Sequence, residues 1–151
     1  MFVLEPVKDT VRIAPSKLGR ELNDIVKEEL NLKYCNKIVP GGGLAISVFD
    51  LVEMGDPLVN PGDPFVSVAT TFRLILFRPA SSEVLIGKVK FSDEENGIKV
   101  SLGFFDDILI PPHLMPEGTR WDSSEQVWAW SFDGNDMFID PEEPIRFRIV
   151  G

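Results

Sequence analysis

The sequence predicts an α+β fold, with a mixed α/β half before residue 80 and an all-β half after it. Three observations predict it. The run Phe72-Arg-Leu-Ile-Leu-Phe-Arg-Pro79 is β-rich and closed by proline, and Glu83-Val-Leu-Ile-Gly-Lys-Val89 opens a second such run after a short linker. One amphipathic helical pattern lies before this seam, and only short apolar runs separated by turn residues lie after it. A chain of 151 residues has room for two small domains, here 1–79 and 80–151.

In the first half, residues 2–13 alternate apolar and polar side chains and predict a strand. Ala14-Pro15-Ser16 marks a helix start, because proline fits the first turn. Over residues 17–32, Leu18, Leu22, Ile25, Val26 and Leu30 fall on one helical face, and Arg20, Glu21, Asp24, Lys27 and Glu28 on the other. Pro40-Gly-Gly-Gly43 precedes an apolar run at 44–52. A phosphate loop would open a helix and carry a Lys-Ser/Thr pair, so these glycines predict a turn or bulge before a strand. Residues 54–64 hold three prolines and two glycines and predict a long loop that touches a partner. In the run that follows, Phe72, Leu74 and Leu76 share one face and Arg73, Ile75 and Phe77 the other.

The second half predicts five short strands, at 84–91, 98–102, 107–110, 127–132 and 145–150. Asn96-Gly97 supplies a hairpin signal between the first two. Five strands in about 70 residues fit an OB barrel. In such a barrel the first, second and last strands lie side by side, which gathers Lys88, Lys99, Arg146 and Arg148 on one face.

The formal net charge of −9 is uneven. Residues up to 79 carry 9 Lys/Arg against 10 Asp/Glu, and the remainder 6 against 14. An acidic domain repels phosphate backbones, so RNA contact in the second half rests on a local patch or on a partner. No run approaches the roughly 18 apolar residues of a membrane span, and no membrane role is expected. The N-terminus has no basic, apolar and small-residue sequence of the secretory kind. The single cysteine, Cys35, cannot close an internal disulfide, in keeping with a reducing cytosolic or nuclear compartment.

No catalytic or metal constellation is expected, and no cofactor. His113 is the only histidine and follows two prolines, with no cysteine near it. Asp106-Asp107 are neighbours that point to opposite faces of a strand, and Asp140-Pro-Glu-Glu143 is a proline turn. Asp133-Gly-Asn-Asp136 has its glycine too early for a calcium loop. The aromatic residues Phe104, Phe105, Trp121, Trp128 and Trp130 are candidates either for stacking on bases or for filling the barrel.

Several segments carry a resemblance. They are Asp9-Thr-Val-Arg-Ile13, Asn31-Leu-Lys-Tyr-Cys-Asn-Lys37, the two seam runs, Leu102-Gly-Phe-Phe-Asp-Asp-Ile-Leu-Ile-Pro111, Pro112-His-Leu-Met-Pro116 and Ile145-Arg-Phe-Arg148. In order from end to end they resemble the larger stalk subunit of multisubunit RNA polymerases. The Lys-Tyr-x-Asn-Lys and Phe-Phe-Asp-Asp-Ile segments are most similar to the RNA polymerase III member.

The resemblance implies a non-catalytic nuclear subunit with an N-terminal ribonucleoprotein-like domain that docks on the RNA polymerase III core. The docking loop would be Met54, Gly55, Asp56, Pro57, Leu58, Val59, Asn60, Pro61, Gly62, Asp63 and Pro64. A smaller stalk subunit would complete a heterodimer that supports transcription initiation. The OB domain would lie near the exit path of nascent single-stranded RNA. Related OB domains carry phenylalanines on the second strand and a histidine on the third at their RNA face. Here those positions fall near Asn96, Lys99 and Ile110, so that stacking set is missing and RNA contact is expected to be weak, with Lys88, Lys99, Phe105, Arg146 and Arg148 as the candidate contacts. From a different class, a free-standing OB-fold RNA-binding adaptor is the competing reading. It requires a basic aromatic face able to bind RNA alone.

Overall fold

Alternation of apolar and polar residues at the N-terminus gives the first strand, β1 (Phe2–Ile13), in the computed structural model, which describes residues 1–150. The chain divides into two compact units, Met1–Ala80 and Ser81–Gly151. The expected domain end at Gly151 lies outside the described residues. Both units are mostly β-sheet, and the one α-helix among the described residues lies in the first.

The first unit comprises β1, α1 (Leu22–Tyr34), β2 (Ile38–Val39), β3 (Gly43–Met54), β4 (Leu58–Val59) and β5 (Val66–Phe77). All pairings are antiparallel, in the order β1-β5-β3-β2, with β4 also on β5. β1 and β5 match residue for residue from Phe2↔Phe77 to Ile13↔Val66. The predicted alternation on β5 holds: Phe72, Leu74 and Leu76 are fully buried. They pack with Ile25, Val26 and Leu30 of α1 and with Val11 and Ile13 of β1. Burying each such side chain stabilises by about 1.5–3 kcal/mol relative to leaving it exposed.

The helix begins five residues later than its sequence pattern. Pro15–Lys17 makes a single 3-10 turn, and Gly19, with φ of 113°, turns the chain before α1 can start. Leu18 consequently lies outside the helix and is exposed. At the far end Asn31 ties α1 to the sheet, its Oδ1 accepting from the Val48 N–H at 2.9 Å and from the Cys35 thiol at 3.3 Å.

Strand β3 departs from period two. Its register against β5 shifts between Ala45 and Ser47, between Val48 and Asp50, and between Leu51 and Glu53. Each bulge sets two residues against one, so Ala45, Val48, Leu51 and Met54 all reach the core at a spacing of three.

The second unit comprises β6 (Val84–Asp93), β7 (Gly97–Ser101), β8 (Ile108–Ile110), β9 (Thr119–Asp122), β10 (Val127–Phe132), β11 (Asn135–Ile139) and β12 (Pro144–Arg148). These seven strands correct the expected five. They form a four-stranded sheet, β12-β6-β7-β8, and a three-stranded sheet, β11-β10-β9. The added strands flank β10. Asp133-Gly134, whose glycine is too early for a calcium loop, makes a two-residue hairpin turn between β10 and β11. Both residues have positive φ, 53° and 78°, as a type I′ turn requires. Val89, Ile98, Val100 and Trp128 form the core, and Trp121, Ile139, Ile145 and Phe147 pack around it. Among the described residues no helix is long and apolar enough to cross a membrane.

One polar clip fixes α1 to β1. The Asp9 Oδ2 accepts from Lys33 Nζ and from the Tyr34 hydroxyl at 2.7 Å, and the Tyr34 ring packs 5.5 Å from Phe72. Partial burial raises the Asp9 pKa, but the hydrogen bonds from Lys33, Tyr34 and the Thr10 N–H outweigh it, leaving Asp9 below its ordinary 3.8. Burial, reinforced by Asp9, pushes the Tyr34 phenol up to about 12. The two groups therefore act at opposite ends of the pH scale. The depressed Asp9 contributes stability that is complete above its unfolded value of 3.8 and is lost as pH falls through its folded value. The raised Tyr34 contributes stability that is complete below its unfolded value of 10.0 and is lost as pH rises towards about 12. Thermal melts followed by circular dichroism test this prediction. Asp9→Asn should flatten the acid limb of Tm against pH, and Tyr34→Phe the alkaline limb. Limbs unchanged by either substitution would show that the clip carries no linkage.

Candidate functional site

The segment at residues 54–64, expected to be an open loop, is built on β5. Beyond Met54 the Gly55 N–H donates to the Ala69 carbonyl at 2.8 Å, and β4 then pairs with β5 at Leu58↔Ser67 and Val59↔Val66. Asn60-Pro61-Gly62-Asp63 closes the hairpin. The Asp63 N–H reaches the Asn60 carbonyl at 3.1 Å, and Gly62 takes a φ of 80°, so proline and glycine occupy the two positions a type II turn needs. Asp63 anchors the turn from below. Its carboxylate accepts from Arg12 at 3.1 and 3.2 Å and from the Phe65 N–H at 3.0 Å, and Arg12 lies 4.5 Å above the Phe65 ring. The outcome is an ordered tip with two exposed apolar side chains, Leu58 at 64% and Val59 at 65%.

The second candidate is the outer face of β12-β6-β7-β8. Residues opposite one another in an antiparallel pair point to the same side, as do residues two apart on one strand. Pairing of Arg148 with Val84, Arg146 with Ile86, and Pro144 with Lys88 puts three of the predicted cations on one face. Lys88 opposes Ser101, two residues from Lys99, which adds the fourth. The structure therefore brings Lys88, Lys99, Arg146 and Arg148 onto one face. The face is not purely basic. Lys99 Nζ lies 3.6 Å from Asp107, and Lys90 Nζ lies 2.7 Å from Asp106. The Asp106 carboxyl is held below its usual range, chiefly by the hydrogen bond from Lys90 and then by that from the Ser101 hydroxyl. Ile86, Lys88, Lys90, Ser101, Asp106 and Glu142 are among the residues lining an open cavity of about 570 Å³ on this side.

Phe105 stands apart from that set. It lies half-buried in the β7–β8 connection, outside every strand pairing, and its carbonyl accepts from the Leu102 N–H at 2.8 Å. Of the other rings, Trp128 is buried in the core and donates its indole N–H to the Asp93 carbonyl at 3.0 Å. Trp121 packs edge-on against it at 5.6 Å. His113 lies exposed in a 3-10 turn (Pro112–Leu114), and Cys35 caps α1. Among the described residues no group of three or more His, Cys, Asp or Glu is arranged to hold a metal ion.

Comparison with known proteins covers both units. The family described as "RNA polymerase III subunit Rpc25" matches residues 83–151. The "SHS2 domain found in N terminus of Rpb7p/Rpc25p/MJ0397" matches residues 8–64. The chain is 45% identical over 154 residues to DNA-directed RNA polymerase III subunit RPC8 of Bos taurus, covering 99% of this chain and 75% of that one. It is 37% identical over 155 residues to the rpc8 subunit of Schizosaccharomyces pombe, covering 99% and 76%. A more distant similarity, 28% over 150 residues, links it to DNA-directed RNA polymerase subunit Rpo7 of Saccharolobus solfataricus, covering 99% and 82%.

The basic face also carries exposed apolar residues that alternation along the sequence does not reveal. Ile86 is 69% exposed and Phe91 59%, and Leu109 is exposed beside them, opposite Lys99. Strict alternation places Phe91 on the core side with Val89. A register shift between the two sends it outward, opposite Lys99. Only the paired register exposes that signal. The β6–β7 hairpin that sets this register depends on Gly97, whose φ is 97° and where an added Cβ would meet the Ile110 carbonyl oxygen at 2.1 Å. Gly97→Ala is predicted to destabilise by at least roughly 1–3 kcal/mol, read as a lowered Tm together with loss of the near-ultraviolet signal of the buried Trp128. An unchanged melt would show that the turn does not require glycine.

Proposed function

Since the chain belongs to the RNA polymerase III subunit Rpc25 family, a family of polymerase stalk subunits, we propose that it is the larger member of a stalk heterodimer. In this reading it acts in the nucleus, pairs with a smaller stalk subunit, attaches that pair to the RNA polymerase III core and supports transcription initiation without a catalytic site of its own. The observation that carries the reading is the tip at residues 54–64. A surface loop with no partner tends towards polar and mobile sequence, whereas Leu58 and Val59 are apolar, exposed and held by strand pairing and an ion-paired turn. Preorganisation of this kind lowers the entropy lost on docking.

RNA contact, in the same reading, is weak and made by the basic face. Four cations neutralise at most about four phosphates, which corresponds to a single-strand salt slope of roughly −3. Phe91 adds a ring able to stack on a base, a contact worth roughly 1–3 kcal/mol. Asp106, Asp107 and the acidic turn at Asp93-Glu94-Glu95 oppose phosphate approach.

Two predictions test the assignment. Replacing Val59, Asn60, Pro61 and Gly62 by a Gly-Ser linker should leave the stalk heterodimer intact while core polymerase subunits no longer co-purify with it. Undiminished co-purification of the core would remove the docking role from the tip. Oligouridine binding by the free chain, followed by fluorescence anisotropy across a salt series, should be weak and should vanish in the double variant Lys99→Glu, Arg146→Glu. Tight binding at physiological salt that survives these reversals would place the RNA site elsewhere and favour the adaptor reading.

A further inference from the structure

We propose that the outer end of the β11-β10-β9 sheet is a docking surface for a protein segment that combines Lys or Arg with apolar side chains. On β10, Trp128, Trp130 and Phe132 lie two apart and share one face, and Ile139, Met137 and Asn135 of β11 stand opposite them in turn. At one end this face, through Trp128, Trp121 and Ile139, covers the core of the second unit. Beyond that point the face continues with Trp130, Phe132 and Met137, which lie outside that core cluster. Phe132 is 58% exposed and Met137 45%.

These side chains are held in place. The Trp130 indole N–H donates to the Glu117 carbonyl at 3.2 Å, and its ring lies 5.3 Å from that of Phe132. The tight turn at Asp133-Gly134 fixes the two strands in register. A fixed apolar platform with a charged rim is the form of an interaction surface, since monomers rarely leave such patches uncovered. β11 pairs only with β10 among the described residues, so its outer edge also offers backbone N–H and C=O groups to an added strand.

Charge selects the occupant. Residues 115–143 carry eight carboxylates and one cation, Arg120, which pairs with Asp136 at 2.9 Å on the opposite face of the sheet, so the charges at the outer end of the platform are those of Glu117 and Asp133. A phosphate backbone, an anionic membrane or a second copy of this sheet would bring negative charge to negative charge. A segment with Lys or Arg beside apolar residues meets both the platform and its rim, and its cations can lie over the Trp130 and Phe132 rings.

The test uses the full-length chain in cells, with the photo-crosslinking residue p-benzoylphenylalanine in place of Phe132 and the adducts sequenced by mass spectrometry. The expected adduct is a protein segment in which Lys or Arg alternate with apolar residues. Its yield should fall by about fivefold or more when Glu117→Lys and Asp133→Lys are combined, because the rim then repels the partner. A second arm replaces Met137 by Ser, which leaves the charges in place and should also lower the yield. The near-ultraviolet signal of Trp121 and Trp128 confirms that each variant is folded, and the Met137→Ser arm decides the matter if the double charge variant is not. Adducts to RNA, to an acidic segment or to a second copy of this chain, no adduct at all, or a yield unmoved in the folded variants would overturn the proposal. The surface is read from the second unit alone, so the experiment stands or falls separately from attachment to the polymerase core.

Discussion

Strand β5 is paired along its whole length by β1 on one side, and on the other side first by β4 and then by β3. Its inward side chains, Phe72, Leu74 and Leu76, are the ones against which α1 packs. Its outward Arg73 forms a two-point ion pair with Asp50 of β3. The exposed tip inherits its order from the same strand, because β4 is too short to persist as a strand unless its backbone groups pair with Ser67 and Val66. Rigidity at Leu58 and Val59 is thus a product of the central strand and not of the turn residues alone. Packing, ion pairing and the candidate docking site share one scaffold.

The fold of the first half was legible because β1 and β5 keep one period for 12 residues each, and a one-residue slip would turn every buried side chain outward. The start of α1 was not. Pro15 and Leu18 fit a helical pattern, but Gly19 adopts a backbone conformation that no helix contains. In the second half the aromatic alternation of β10 was plain from sequence. Its neighbours β9 and β11 were not, since their exposed residues Arg120, Asn135 and Asp136 have the composition of loops. Asp133-Gly134 carried the missing signal, which is a hairpin signal only when the flanking segments are already recognised as strands.

The candidate sites divide in the same way. Arg146 and Arg148 were legible because alternation on β12 is unbroken, and Lys88 and Lys99 follow from the pairing of the first two strands of this unit. Phe91 was hidden by a bulge, and the orientation of Phe105 was not legible because adjacent phenylalanines in a connection carry no periodicity to orient them. The order of residues 54–64 was hidden too. Prolines and glycines signal an irregular backbone, whereas the anchor, Arg12 on Asp63, joins residues 51 positions apart.

The bulges of β3 also govern how its outer edge meets other chains. Beyond its short pairing with β2, the far side of this strand has no neighbouring strand among the described residues. A straight edge with Ile46, Phe49 and Val52 along it would be a template for uncontrolled strand addition by other molecules. Three successive bulges break the regular spacing of its free N–H and C=O groups, and Asn31 occupies the N–H of Val48. The same irregularity that wraps the sheet around α1 therefore makes that edge a poor template for strand addition.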